Sequence, residues 1–161
     1  MVGHGMGRRC TGAVLGLAIT LVAAGGCSKR VHATAKDAAV KADILVQAQL
    51  AAPFSEKTEG PSDALMAKIT VAPGASTGGW HMHDGPVITA VAKGTATLYD
   101  SDDPTCTPHV MTAGQAQVEP ARHIHIVRNE SKGPLELYVT FLLPRGSKPG
   151  TLVLPPGNCA F

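Results

Sequence analysis

The sequence predicts an all-β domain, a sandwich or small barrel of short antiparallel strands. Three observations carry that prediction. Short apolar runs recur between Gly, Pro and Asp throughout residues 43–154, and no amphipathic helix of ordinary length interrupts them. Leu65, Ala67, Ile69 and Val71 alternate with Met66, Lys68 and Thr70, the period of two that marks a half-buried strand. Two His-x-His pairs, His81-Met82-His83 and His123-Ile124-His125, sit where strands are expected, and residues two apart on a strand point to one side.

In chain order, Ile44–Leu50 is the first strand candidate and the alternating segment ending at Val71 the second, closed by Pro73-Gly74. His81–His83 begins a third, and Val87–Ala92 continues the sheet. Lys93-Gly94 turns tightly into Thr95–Tyr99. Gln115–Glu119 is ended by Pro120, followed by a strand over His123–Arg128 and a long β-rich run over Leu135–Leu143 that Pro144 stops. Thr151–Leu154 reads as a last edge strand.

The residues before this domain have another character. Arg8 and Arg9 precede an apolar run from Ala13 to Ala24, and Ala24-Gly25-Gly26 leads to Cys27. This is the order of an export signal: basic start, apolar stretch, small-residue cleavage site. The run falls short of the about 20 apolar residues needed to cross a bilayer. Small residues directly before a cysteine resemble the lipobox of bacterial lipoproteins, in which that cysteine is lipidated and becomes the new N-terminus. Ala24 stands where leucine is usual. The expectation is residues 1–26 as signal, Cys27 as lipidation site, residues 27–42 as a tether, and a domain over 43–161. That places the domain at the bacterial cell envelope, anchored to a membrane outside the cytoplasm, with soluble secretion as the alternative.

Removing residues 1–26 leaves 135 residues, enough for one domain with a real core. It leaves 12 basic and 12 acidic residues and no basic stripe, which argues against nucleic acid as a partner. Of the four cysteines, Cys10 lies in the signal and Cys27 at its end. In an oxidising compartment the remaining Cys106 and Cys159 are expected to pair. No Cys-x2-Cys spacing supports a cysteine metal cluster. Asp100, Asp102 and Asp103, with His109 nearby, read as a solvated loop pinned by that bridge.

Four of the seven histidines lie in the two pairs, and neutral imidazole is a common ligand of transition metals. The surrounding residues resemble the two motifs of the cupin superfamily. Gly114, Pro120, His125 and Asn129 fall at the spacing of the second motif, with Arg122 where glycine is usual. His81, His83 and Gly94 fit the first. The resemblance covers about Leu65 to Leu143 and implies a cupin-type jelly-roll barrel holding a metal. The glutamate that completes the family's site would fall at position 87 or 88, where this chain has Val87 and Ile88.

The resemblance therefore leaves His81, His83 and His125 as ligands of one divalent transition metal, Fe or Mn preferred, with Zn, Cu or Ni open. Such a neutral triad leaves the ion's charge uncompensated, which favours an anionic substrate, hydroxide or a nearby carboxylate. His123 is a candidate fourth ligand or catalytic acid-base group, a pocket residue or hydrogen-bond partner of the ligands, or a structural or solvent-facing side chain. Glu119 is the acidic residue nearest either motif, at the barrel rim or on the surface. Asn129 is expected to serve turn or strand hydrogen bonding, and Trp80 to face away from the metal as outer-face packing or a dimer contact.

If the domain is an enzyme, the resemblance favours oxygenase chemistry on a small organic substrate. A non-catalytic binding or sensing module for a small ligand is the alternative, and a homodimer through edge strands would fit the family. No phosphate loop, nucleophile elbow or His-Glu-x-x-His motif is present.

Overall fold

Alternation is clearest where the chain is most buried. In the strand Leu135–Pro144, Leu135, Leu137, Val139, Phe141 and Leu143 are buried, while Glu136, Tyr138, Thr140 and Leu142 on the other face are half-exposed. In Val87–Lys93 the inward set is Val87, Thr89 and Val91. Each large apolar side chain turned inward this way stabilises the fold by about 1.5–3 kcal/mol relative to exposure.

The computed structural model describes residues 41–161, and Ala42–Phe161 forms one compact unit. Its strands are β1 (Gln49–Leu50), β2 (Ser62–Val71), β3 (His81–Met82), β4 (Val87–Lys93) and β5 (Thr95–Asp100). They continue as β6 (His109–Thr112), β7 (Gln115–Glu119), β8 (His125–Arg128), β9 (Leu135–Pro144) and β10 (Thr151–Leu152). No helix appears among the described residues. The signal segment, Cys27 and tether residues 28–40 lie outside them.

Two five-stranded sheets face each other, one in the order β1-β7-β4-β9-β2 and the other β10-β3-β8-β5-β6. β2, β4 and β9 carry one side of the main core through residues such as Val71, Val91 and Leu137. Ala96, Leu98, Met111 and Val127 carry the other. The all-β, cupin-like sheet arrangement expected from the sequence is present. Gly94, in the β4–β5 turn, has φ +82°, and a Cβ there would sit 2.6 Å from the Pro134 carbonyl oxygen. Only glycine meets both demands.

Three expectations need correction. Ile44–Leu50 forms a strand only over Gln49–Leu50, with Ile44 and Leu45 exposed. β1 runs parallel to β7 with Gln49 opposite Gln115, so residues further upstream would have to pair with the turn that precedes β7. That turn, at Gly114 with φ +88°, has no extended backbone to offer. Second, a strand absent from the sequence expectation, β6, opens at His109; it has four residues with Met111 as its one buried side chain, too short to show a period.

Third, β8 begins at His125 rather than His123. The His123 amide donates to the Pro120 carbonyl (3.3 Å) and Arg122 adopts φ +62°, so residues 120–123 form a turn. A left-handed residue explains why glycine is usual at position 122 in the motif.

Cys106 and Cys159 are bridged, with Cα atoms 5.3 Å apart. Trp80, Tyr99 and Ile126 form a second cluster on the outer face of the β3-β8-β5 sheet, packed with Cys106, Cys159, Ile124 and Val153. Trp80 thus faces away from the two histidines beside it, and the chain's own C-terminal segment covers it.

Candidate metal centre

The His-x-His spacing acts as strand geometry requires. Gly78 and Gly79, at φ +103° and +107°, turn the chain into β3, where His81 is followed two residues later by His83 on the same side. β3 pairs antiparallel with β8 so that His81 lies directly opposite His125. The three rings meet at centroid distances of 4.5, 5.0 and 5.3 Å, and all three are buried. One nitrogen from each lies within 4.8 Å of the others, a group able to hold a metal ion.

The outer ring nitrogens set the tautomers. His81 Nδ1 contacts the Gly79 carbonyl at 2.8 Å, His83 Nδ1 the Pro149 carbonyl at 2.5 Å, and His125 Nδ1 the His123 carbonyl at 3.1 Å. A carbonyl only accepts, so each Nδ1 carries the proton and donates. Each Nε2 is thereby turned inward as the nitrogen that, once deprotonated, can ligate a metal, the arrangement that metal-binding histidines normally use.

Glu119, expected at the rim or on the surface, is instead buried in the cavity with the three histidines. It ends β7 and is 4% exposed. Its Oε2 lies 2.9 Å from His125 Nε2 and 3.4 Å from His83 Nε2. Its Oε1 accepts from Thr89 Oγ1 (3.1 Å) and Gln117 Nε2 (3.0 Å).

Burial alone would push the Glu119 carboxyl up, but hydrogen bonds from His125 and His83 outweigh it and hold the group well below the usual carboxylate range. For His125, burial pushes down while the Glu119 carboxylate pushes up and wins, so its pKa is raised. His81 is lowered, chiefly by burial. Both shifts favour the charged forms, with His125 Nε2–H donating to the carboxylate; a metal bound at Nε2 would take the place of that proton.

A cavity of about 190 Å³ opens on the three histidines and Glu119, walled by Ile69, Val87, Leu137, Val139 and Phe141. Pro149 and Gly150 also line the cavity, and the Pro149 carbonyl accepts from His83 Nδ1, so this segment helps to orient that ring.

His123 stands apart. Its Nδ1 lies 3.7 Å from Asp100 and its Nε2 3.4 Å from Asp102, with its ring stacked 6.1 Å from that of His125. The turn at Arg122 is what directs both nitrogens to these aspartates rather than to the three converging rings. His109 faces the same Asp100 at 3.5 Å. Asp103 accepts from the Thr105 and Thr107 amides and from Thr105 Oγ1, closing the loop that the disulfide pins. Asn129 is fully buried outside the cavity and bonds only to backbone groups and Ser131.

Residues 67–141 match the family model described as Cupin domain. No curated protein matches the chain. Among solved structures, the chain is similar to a conserved protein of unknown function from Streptococcus pyogenes. That match has 16% identity and a TM-score of 0.44, and covers 54% of this chain and 70% of that one. A predicted oxalate decarboxylase from Thermotoga maritima is similar at 23% identity and a TM-score of 0.43, over 50% of this chain and 66% of that one. A cupin superfamily protein from Desulfitobacterium hafniense is similar at 16% identity and a TM-score of 0.43, over 63% of this chain and the whole of that one.

Proposed function

We propose that the chain is an exported cupin, lipid-anchored through Cys27, that holds one divalent transition metal on His81, His83 and His125 and presents it to a small organic molecule. The observation that carries this reading is the set of three Nδ1–carbonyl contacts, which turn three buried Nε2 atoms towards one another with, among the described residues, no other partner than Glu119. Three aimed imidazoles beside a carboxylate suit Fe or Mn, while Zn, Cu and Ni also accept nitrogen donors.

Bound there, such an ion supplies Lewis acidity or a redox centre. The chain's own residues do the rest. Val87, Leu137 and Phe141 give the cavity an apolar wall beside the histidines, and Glu119 places a carboxylate against His125 and His83. The cavity is smaller than the ~300–1,000 Å³ of drug-sized sites, so the partner is a compact molecule of few heavy atoms. Oxygenase chemistry on such a molecule is the preferred activity. The small volume and the burial of all three histidines equally favour capture without turnover as a second reading.

The test is metal analysis of the full protein loaded in turn with Fe(II), Mn(II), Zn(II), Cu(II) and Ni(II). One ion per chain is expected for at least one of these, lost in both His81→Ala and His125→Ala. Protein that takes up none of the five overturns the metal reading. Turnover of small carboxylic and enolic compounds under O₂ then separates enzyme from binder.

For the anchor, Cys27→Ser is expected to move the protein from the membrane to the soluble fraction or stall its processing. Unchanged membrane partitioning of that variant contradicts the lipid attachment.

A further inference from the structure

We infer that Glu119 is the fourth ligand of this centre, reaching from β7 to the place that a carboxylate on position 87 of β4 would otherwise fill. The inference rests on the metal reading above and adds to it the identity of the donor set, three nitrogens and one carboxylate oxygen.

The register makes the exchange geometrically cheap. β4 and β7 are antiparallel neighbours, and Val87 and Glu119 are directly opposite one another. Directly opposed residues share a face of the sheet, with Cβ atoms about 4.5–5.5 Å apart. A side chain as long as glutamate can therefore move across one strand and still deliver its oxygen to the same point. Val87 and Glu119 line the same cavity as the three histidines, and Val87 is 1% exposed.

The carboxylate is also held as a ligand is held. Thr89, on β4 like Val87, and Gln117, on β7, both donate to Oε1. That fixes the carboxylate plane and leaves Oε2 facing the Nε2 atoms of His125 and His83 at 2.9 and 3.4 Å. Donors on the far oxygen of a ligating carboxylate are the usual means of orienting it. A surface or purely structural glutamate needs neither the burial nor the two donors.

Charge gives the reason for the placement. Three neutral imidazoles would leave a dication uncompensated in an apolar cavity, a costly state. Glu119 halves that charge. A carboxylate in the set also moves the site towards Fe(II) and Mn(II), which accept oxygen readily, and away from ions that prefer nitrogen alone.

The experiment is carboxylate relocation. Mn(II) affinity of the full protein is measured by chelator competition for the wild type, Glu119→Gln, and the double variant Val87→Glu with Glu119→Val. Loss of an outer partner of a ligand typically costs 10–100-fold in metal affinity. Glu119→Gln is therefore expected to lose more than about 100-fold, and the double variant to return to within about tenfold of the wild type. Wild-type affinity in a folded Glu119→Gln, or a loss confined to about 10–100-fold with no recovery in a folded double variant, overturns the assignment.

Should both variants fail to fold, the wild type decides by itself. In crystals loaded with Zn(II), a Glu119 oxygen is required at about 2.0–2.2 Å from the ion, and one beyond about 3 Å refutes the inference. A wild type that binds no ion at all removes the metal reading instead, so the two failures are told apart.

Discussion

Replacing Cys106 and Cys159 together by serine is expected to cost about 4 kcal/mol and lower the melting temperature by roughly 10 °C or more. The two cysteines are 53 positions apart, and a loop of that length gives the unfolded chain much conformational freedom once the bridge is gone. The folded state loses something as well. Cys159 and Val153 help cover Trp80, Tyr99 and Ile126, and the Asn158 side chain donates to the Asp100 and Asp103 carbonyls. Without the bridge, those two hydrogen bonds, the apolar cover, the pairing of β10 with β3 and the contacts of Phe161 with Tyr99 and Arg128 must hold the tail.

Trp80 is the only tryptophan and lies 4% exposed in that cluster, so its emission reports on tail docking. A red shift in the double serine variant should accompany the lower melting temperature, and reducing the wild type should reproduce both. A melting temperature within about 2 °C of the wild type, with unchanged emission, would contradict this account.

How much of this was legible beforehand differs between local and long-range features. β7 matches its expected bounds, and β4 and β9 are each one residue longer, because alternation and a flanking Pro or Gly mark them within a few residues. β1 is shorter than its apolar run suggests, since Ile44–Val46 says nothing about whether a neighbouring strand exists to pair with it. β6 is not legible in the sequence because four residues with one inward side chain, Met111, cannot display a period. The late start of β8 came from a single backbone angle at Arg122, which arginine does not advertise.

The site divides in the same way. His81, His83 and His125 could be read from spacing, since i, i+2 geometry and the resemblance to a known motif both act locally. His123 had the same spacing to His125, yet it lies in the turn that precedes β8, and its nitrogens face Asp100 and Asp102. Glu119 was out of reach for a different reason. Its proximity to the histidines depends on the pairing of β7 with β4, residue against residue, and register between partners 26 to 32 positions apart is written in no short segment. The one available signal was negative: an apolar Val87 where a carboxylate is usual asks which acidic residue a neighbouring strand could supply.

Asn129→Ala is expected to destabilise the fold by about 3 kcal/mol while leaving metal stoichiometry unchanged. Asn129 has no exposed surface, and its side chain is used to capacity. Its Nδ2 donates to the Val71 and Gly133 carbonyls, both at 2.8 Å. Its Oδ1 accepts from the Ser131 amide at 3.1 Å and Ser131 Oγ at 2.7 Å. Through these four bonds the exit of β8 is tied to the end of β2 and to the turn that enters β9. Alanine removes all four partners at once. The Val71 carbonyl, in a residue only 3% exposed, is left without this donor, at about 1–3 kcal/mol for a buried group so deprived. Asn129→Asp separates the two halves of the amide. It keeps an acceptor for Ser131 but turns a second oxygen towards two carbonyl oxygens, so it should be at least as damaging as alanine. Denaturant titration of both variants, with metal content measured on the folded fraction, checks the account. A loss below about 1 kcal/mol for alanine, or an aspartate variant as stable as the wild type, would show that the four bonds do not hold these strands together.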